Sequence, residues 1–77
     1  MEIKVKTITG MKYIVDIDET TTIVDIKSTI LTKTGIPAQQ QRYIYCGKLL
    51  SDMQRVVELP DAAPGMVLNM ILSLRGG

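Results

Sequence analysis

With 77 residues the chain has room for one domain, because a chain this short hides only about 60–65% of the surface its unfolded form exposes. The 45% apolar content suits a small aliphatic core with no Trp or Phe, and a formal net charge of +1 excludes the basic stripe that a general nucleic-acid binder needs. One cysteine and no histidine exclude an internal disulfide framework, a Cys/His zinc site and a Cys-His nucleophile assembled from this chain alone.

From Met1 to Thr7 apolar and polar residues alternate, which predicts a strand with Met1, Ile3 and Val5 inward and Lys4 and Lys6 on a solvated face. Ile8-Thr9-Gly10 supplies a turn, and Tyr13, Val15 and Ile17 then alternate against Lys12, Asp16 and Asp18, so the first two strands are expected to form a hairpin. Thr22 reads as an N-cap whose hydroxyl accepts from an early helical N–H, and Asp25 suits the positive end of the dipole. A helix is predicted from there to about Thr34. Ile23, Ile26 and Ile30 form its buried stripe, Leu31 lies beside it partly exposed, and Gly35 followed by Pro37 ends it.

Arg42 to Tyr45 reads as a third strand, closed by a turn at Cys46-Gly47 and followed by a very short strand at Lys48-Leu49-Leu50. Ser51 to Gly65 has no sustained period and contains Pro60 and Pro64; it reads as an irregular surface connection with one helical turn near Val56-Val57-Glu58. Met66 to Leu72 is apolar enough for a last strand. The expectation is an α+β domain over residues 1–72, with one helix on one face of a mixed sheet, and a flexible tail over residues 73–77. No apolar run approaches the ~18 residues that span a bilayer and the start lacks a signal-peptide apolar region, so a soluble protein in a reducing compartment is expected.

Ile44 points opposite to Tyr43 and Tyr45, on the face of Arg42. That face is expected to collect Ile8 and Ile71 beside Asn69, with Lys6, Gly47 and Lys48 at the rim: an apolar patch ringed by cations, suited to docking. Scattered exposed apolar residues are commonplace, and spacing alone does not separate the two readings. Cys46 lies in a turn with no neighbouring cation arranged to lower its pKa, which argues against catalysis there.

The chain resembles ubiquitin and its close relatives along essentially its whole length. The resemblance rests on Val5-Lys6-Thr7, Thr9-Gly10, Ile23, Lys27, Gly35-Ile36-Pro37, Gln40-Gln41-Arg42, Ile44, Gly47-Lys48 and the closing Leu74-Arg75-Gly76-Gly77. Gly-Gly alone would be weak evidence; joined to that order of elements it is strong. Within the family the sequence is similar to the Rub (related-to-ubiquitin, Nedd-type) modifiers. Lys4 stands where ubiquitin has an aromatic residue, Gln39 extends the glutamine run, Tyr45 follows Ile44, and Ser73 stands where ubiquitin has an arginine. There are departures: the stretch from Ser51 to Gly65 has one extra residue, no lysine and no bracing tyrosine, Asn69 replaces a histidine, and Tyr43 replaces a leucine.

The resemblance implies a ubiquitin-like β-grasp fold with a five-stranded mixed sheet. The titratable residues are dispersed and the pattern places no acid–base pair, so an enzyme is not expected, nor a metal or cofactor. Gly77 would be activated with ATP, carried as a thioester by activating and conjugating enzymes and, with a ligase, joined by isopeptide bond to lysines of cullins, switching on cullin-containing ubiquitin ligases. Deconjugating proteases would reverse this. The modifier is expected to be a monomer of cytoplasm and nucleus without nucleic-acid or membrane partners. In the tail, Gly76 lets the chain thread a narrow channel, Leu74 fits an apolar slot, Arg75 pairs a partner carboxylate, and Ser73 selects the Rub-type activating enzyme. Lys6, Lys27, Lys33 and Lys48 are candidate acceptors of a second modifier. The competing readings are a divergent ubiquitin, a noncovalent β-grasp module and a sulfur carrier.

Overall fold

Period-two alternation becomes a hairpin at the start of the chain: β1 (Glu2–Thr7) pairs antiparallel with β2 (Lys12–Asp16), Ile3 opposite Val15 and Lys6 opposite Lys12. The computed structural model describes residues 1–74. The hairpin closes through Ile8-Thr9-Gly10, where Gly10 N–H donates to Thr7 O at 3.0 Å and Gly10 takes a φ of 89°, a left-handed value that costs glycine little. Met1 departs from the expected inward position and is 38% exposed. Its charged ammonium stays near water and donates to Ile17 O at 2.7 Å, which prolongs the ladder through the backbone.

The helix α1 (Ile23–Thr34) starts at Thr22 and is closed by a capping box with Asp25. The Asp25 carboxylate accepts from Thr22 N–H at 2.9 Å and from the Thr22 hydroxyl at 3.1 Å. Gly35 ends the helix at φ 79°, its N–H donating to Leu31 O at 2.8 Å. Ile23, Ile26 and Ile30 are fully buried and Leu31 is exposed, as their spacing predicts.

After a 3-10 turn (Ala38–Gln40) come β3 (Gln41–Tyr45), β4 (Lys48–Leu49), a second 3-10 turn (Val56–Glu58) and β5 (Val67–Leu72). The sheet order is β2-β1-β5-β3-β4, with β1 and β5 parallel and the other pairs antiparallel. This five-stranded mixed sheet with one main helix is the ubiquitin-like β-grasp arrangement. The core joins Ile3, Val5, Val15, Leu68 and Met70 from the sheet to the three helical isoleucines.

Two features depart from the sequence expectations. The third strand begins at Gln41, whose side chain is fully buried: its Nε2 donates to Lys27 O at 3.0 Å and Ile36 O at 2.9 Å, and its Oε1 accepts from the Tyr43 hydroxyl at 2.7 Å. Burial pushes the Tyr43 phenol pKa up. The stretch from Ser51 to Gly65 is not merely superficial, because Val56 and Leu59 are buried in the core. It also satisfies the start of α1: Ile23 N–H donates to Gln54 O and Val24 N–H to Asp52 O, each at 3.0 Å, two donors that a helix cannot satisfy from within.

Candidate docking face and conjugation tail

Residues opposite one another across a ladder share a face of the sheet, so the register decides what gathers around Ile44. Ile44 lies opposite Asn69 on β5 and Leu49 on β4, Arg42 lies opposite Ile71, and Lys6 on β1 lies opposite Asn69. All of them occupy the face away from Tyr43 and the core. Ile44 is half-buried, while Ile71, Leu49 and Ile8 are exposed, Ile8 to 76%. Ile8 approaches from the β1–β2 turn and, with Lys6, Asn69 and Ile71, lines a shallow hollow of about 260 Å³. The Arg42 guanidinium is held at the end of the strand, its Nη1 donating to Gln39 O at 3.0 Å and Gln41 O at 3.1 Å.

Leu49 was not among the expected patch residues, although the signal was available. Cys46 and Gly47 both take positive φ, 52° and 76°, and make a two-residue loop that sets Tyr45 opposite Lys48 and therefore Ile44 opposite Leu49. The same register places Lys48 beside that pair. It pairs with Tyr45, on the opposite side of the ladder from Ile44, and lines a cleft with Tyr45, Cys46 and Pro60 that Leu49 shares. Gly47 remains in the connecting turn.

The four candidate acceptor lysines divide. Lys6, Lys33 and Lys48 are exposed. Lys27 is buried, and its Nζ sits 2.6 Å from the Asp52 carboxylate. A primary amine held this way is less accessible than the other three.

At the far end of β5, Ser73 N–H donates to Gln40 O at 2.7 Å, one residue beyond the Gln41–Leu72 pair. Ser73 is half-buried and Leu74, the next residue, is 94% exposed. The expectations for Arg75, Gly76 and Gly77 lie outside the described residues.

Residues 3–75 match the model of the ubiquitin family. The chain belongs to the ubiquitin family. Three full-length relatives carry Nedd- or ubiquitin-like names. It is 46% identical over 77 residues to ubiquitin-like protein NEDD8 of Dictyostelium discoideum, covering 100% of this chain and 99% of that one. It is 44% identical over 77 residues to ubiquitin-like protein 1 of Schizosaccharomyces pombe, covering 100% and 97%. To NEDD8-like protein RUB1 of Saccharomyces cerevisiae it is 40% identical over 77 residues, covering 100% and 99%. As a ubiquitin-family domain it lacks the expected bracing tyrosine between Ser51 and Gly65. Tyr45 supplies a brace from β3 instead, its hydroxyl donating to Pro60 O at 2.5 Å.

Proposed function

We propose that this ubiquitin-family chain is a Nedd-type protein modifier. In this reading it is the substrate of activating, conjugating and ligating enzymes in cytoplasm and nucleus, and cullins are its targets. The observation that supports the reading is its similarity to Nedd- and Rub-type relatives over their full length.

A carboxylate is a poor acyl donor. In the proposed sequence the Gly77 carboxylate attacks the α-phosphorus of ATP and releases pyrophosphate, forming an acyl-adenylate. An enzyme thiolate then displaces AMP to give a thioester, which passes to the thiolate of a conjugating enzyme. The neutral ε-amine of a target lysine attacks the thioester carbon, expels that thiolate and loses a proton, leaving an isopeptide bond. This chain contributes position and access. Gly76, without a Cβ, lets an extended segment enter a narrow channel, and exposed Leu74 is available to an apolar slot in the enzyme. Ser73 presents a neutral hydroxyl: an enzyme built to pair an arginine there is left with an uncompensated charge, whereas one carrying its own cation accepts it.

ATP-dependent thioester formation on purified Rub-type and ubiquitin-type activating enzymes tests this, with the parent and Ser73→Arg offered to each. Ser73 is tied to Gln40 through its backbone N–H, so the substitution leaves that bond in place. The expected result is loading of the parent by the Rub-type enzyme and a gain of ubiquitin-type loading by the variant. Loading of the parent by the ubiquitin-type enzyme alone would identify a divergent ubiquitin; loading by neither would favour a sulfur carrier or a noncovalent module.

A further inference from the structure

The sheet ends in two edge strands of unequal length. β4 has two residues and is a poor template, whereas β2 has five. Hydrogen bonds at both ends of the β1–β2 ladder fix which β2 groups face outward. Thr7 N–H donates to Met11 O, and Met1 and Ile17 exchange bonds in both directions. Alternation in an antiparallel ladder then assigns the bonds to β1 to Tyr13 and Val15, so the backbone groups of Lys12, Ile14 and Asp16 point away from β1.

The side chains of those three residues lie on the outer face in an unfavourable order. Lys6 stands directly opposite Lys12, and Glu2 directly opposite Asp16. Like charges in opposite positions destabilise a ladder. The N-terminal ammonium lies 3.6 Å from the Asp16 carboxylate, whose side chain is 86% exposed, so this contact offsets little of the repulsion. Between the two charged pairs sits Ile14, 52% exposed.

We propose that β2 pairs antiparallel with β2 of a second copy of this chain, about a twofold axis at Ile14. In that register Ile14 meets Ile14, and Lys12 meets Asp16 of the second copy on both sides. The pairs so formed are made by the three residues whose N–H and C=O groups already face outward. The charges agree as well. One row across the joint sheet reads Lys6, Lys12, then Asp16 and Glu2 of the second copy, so two cations of one copy face two anions of the other. A shift of register by one residue would pair the strand through inward-facing backbone groups, and a shift by two would break the charge match. The contact is small and polar, which puts association on the order of 1 mM and makes it sensitive to salt.

The test uses the full chain, its Lys12→Asp variant and its Asp16→Lys variant, with thermal melts to verify that each folds; both positions are exposed. Amide chemical shifts and sedimentation are followed as protein concentration rises to about 1 mM. The parent is expected to associate with shifts centred on Lys12, Ile14 and Asp16, and each single variant to lose association by about tenfold or more. A one-to-one mixture of the two variants is the decisive sample, because every Lys–Asp pair re-forms between them: association should return in the mixture. The proposal is overturned by a parent that stays monomeric, by variants that associate as the parent does, or by shifts centred on Ile44 and Ile71. It is also overturned if these edge amides respond only to an added extended peptide, which would assign the edge to a strand from another protein.

Discussion

Gln41 uses both ends of its amide inside the core, and its three bonds tie α1, the segment after it and β3 together. Tyr43→Phe removes the hydroxyl and leaves Oε1 of Gln41 buried without a donor, for an expected loss of about 1–3 kcal/mol in chemical denaturation. The pH dependence has a definite sign. The Tyr43 phenol pKa is raised in the folded state, so stability is complete below about pH 10, where the unfolded phenol begins to ionise, and declines as pH rises above it. Denaturation midpoints measured from pH 8 to 11 should fall for the parent and fall less for Tyr43→Phe. Tyr45 shifts in the same direction, through burial first and the nearby Cys46 second, so the slope is reduced and not abolished. Lys27 makes a prediction of its own: in amine-selective labelling followed by mass spectrometry it should react more slowly than Lys6, Lys33 or Lys48. Neither the burial of Gln41 nor that of Lys27 was legible in the sequence, because each is decided by groups distant along the chain: Lys27 O and Ile36 O for Gln41, Asp52 for Lys27. Alternation did indicate that Tyr43 points away from Ile44.

Elements written in local signals were the ones that could be read. Thr22, Asp25, the isoleucine stripe and Gly35 delimit α1 at Ile23–Thr34 because caps and periodicity act within a few residues. The stretch from Ser51 to Gly65 hid two core residues because Val56 and Leu59 are buried through a 3-10 turn and a bend, which impose no regular period. The β3–β4 hairpin gives an element-scale prediction. Its loop needs positive φ at both central positions, which Gly47 meets cheaply and Cys46 does not. Cys46→Asn should therefore stabilise the domain by roughly 0.5–1 kcal/mol, raising the melting temperature by a few degrees. Gly47→Ala should lower it by a comparable or larger amount, since it puts a Cβ on a residue at φ 76°.

For the whole molecule, one aliphatic core serves both layers, with Ile30 of α1 at its centre of burial among residues at 0% exposure. Ile30→Ala is expected to cost about 2–5 kcal/mol. For a domain of this length total stability is on the order of 4–12 kcal/mol, so the variant should lose a large share of it, read as a lowered melting temperature by circular dichroism. The overall architecture was legible because a single short domain with this order of strands and helix has few ways to bury its apolar faces. The composition of the docking face was legible only in part: alternation gave the outward side of Ile44, the two-residue Cys46-Gly47 loop carried an unused signal for Leu49, and the side of the ladder on which Lys48 lies required the register. The bond from Ser73 to Gln40 acts as the fixed end of a tether. Four residues follow it in the sequence, and four residues at full extension reach at most about 14 Å. That length bounds how far Gly77 can lie from the anchored Ser73. In the proposed modifier role, an enzyme that acts on Gly77 has to bring its reactive centre within that reach of Ser73.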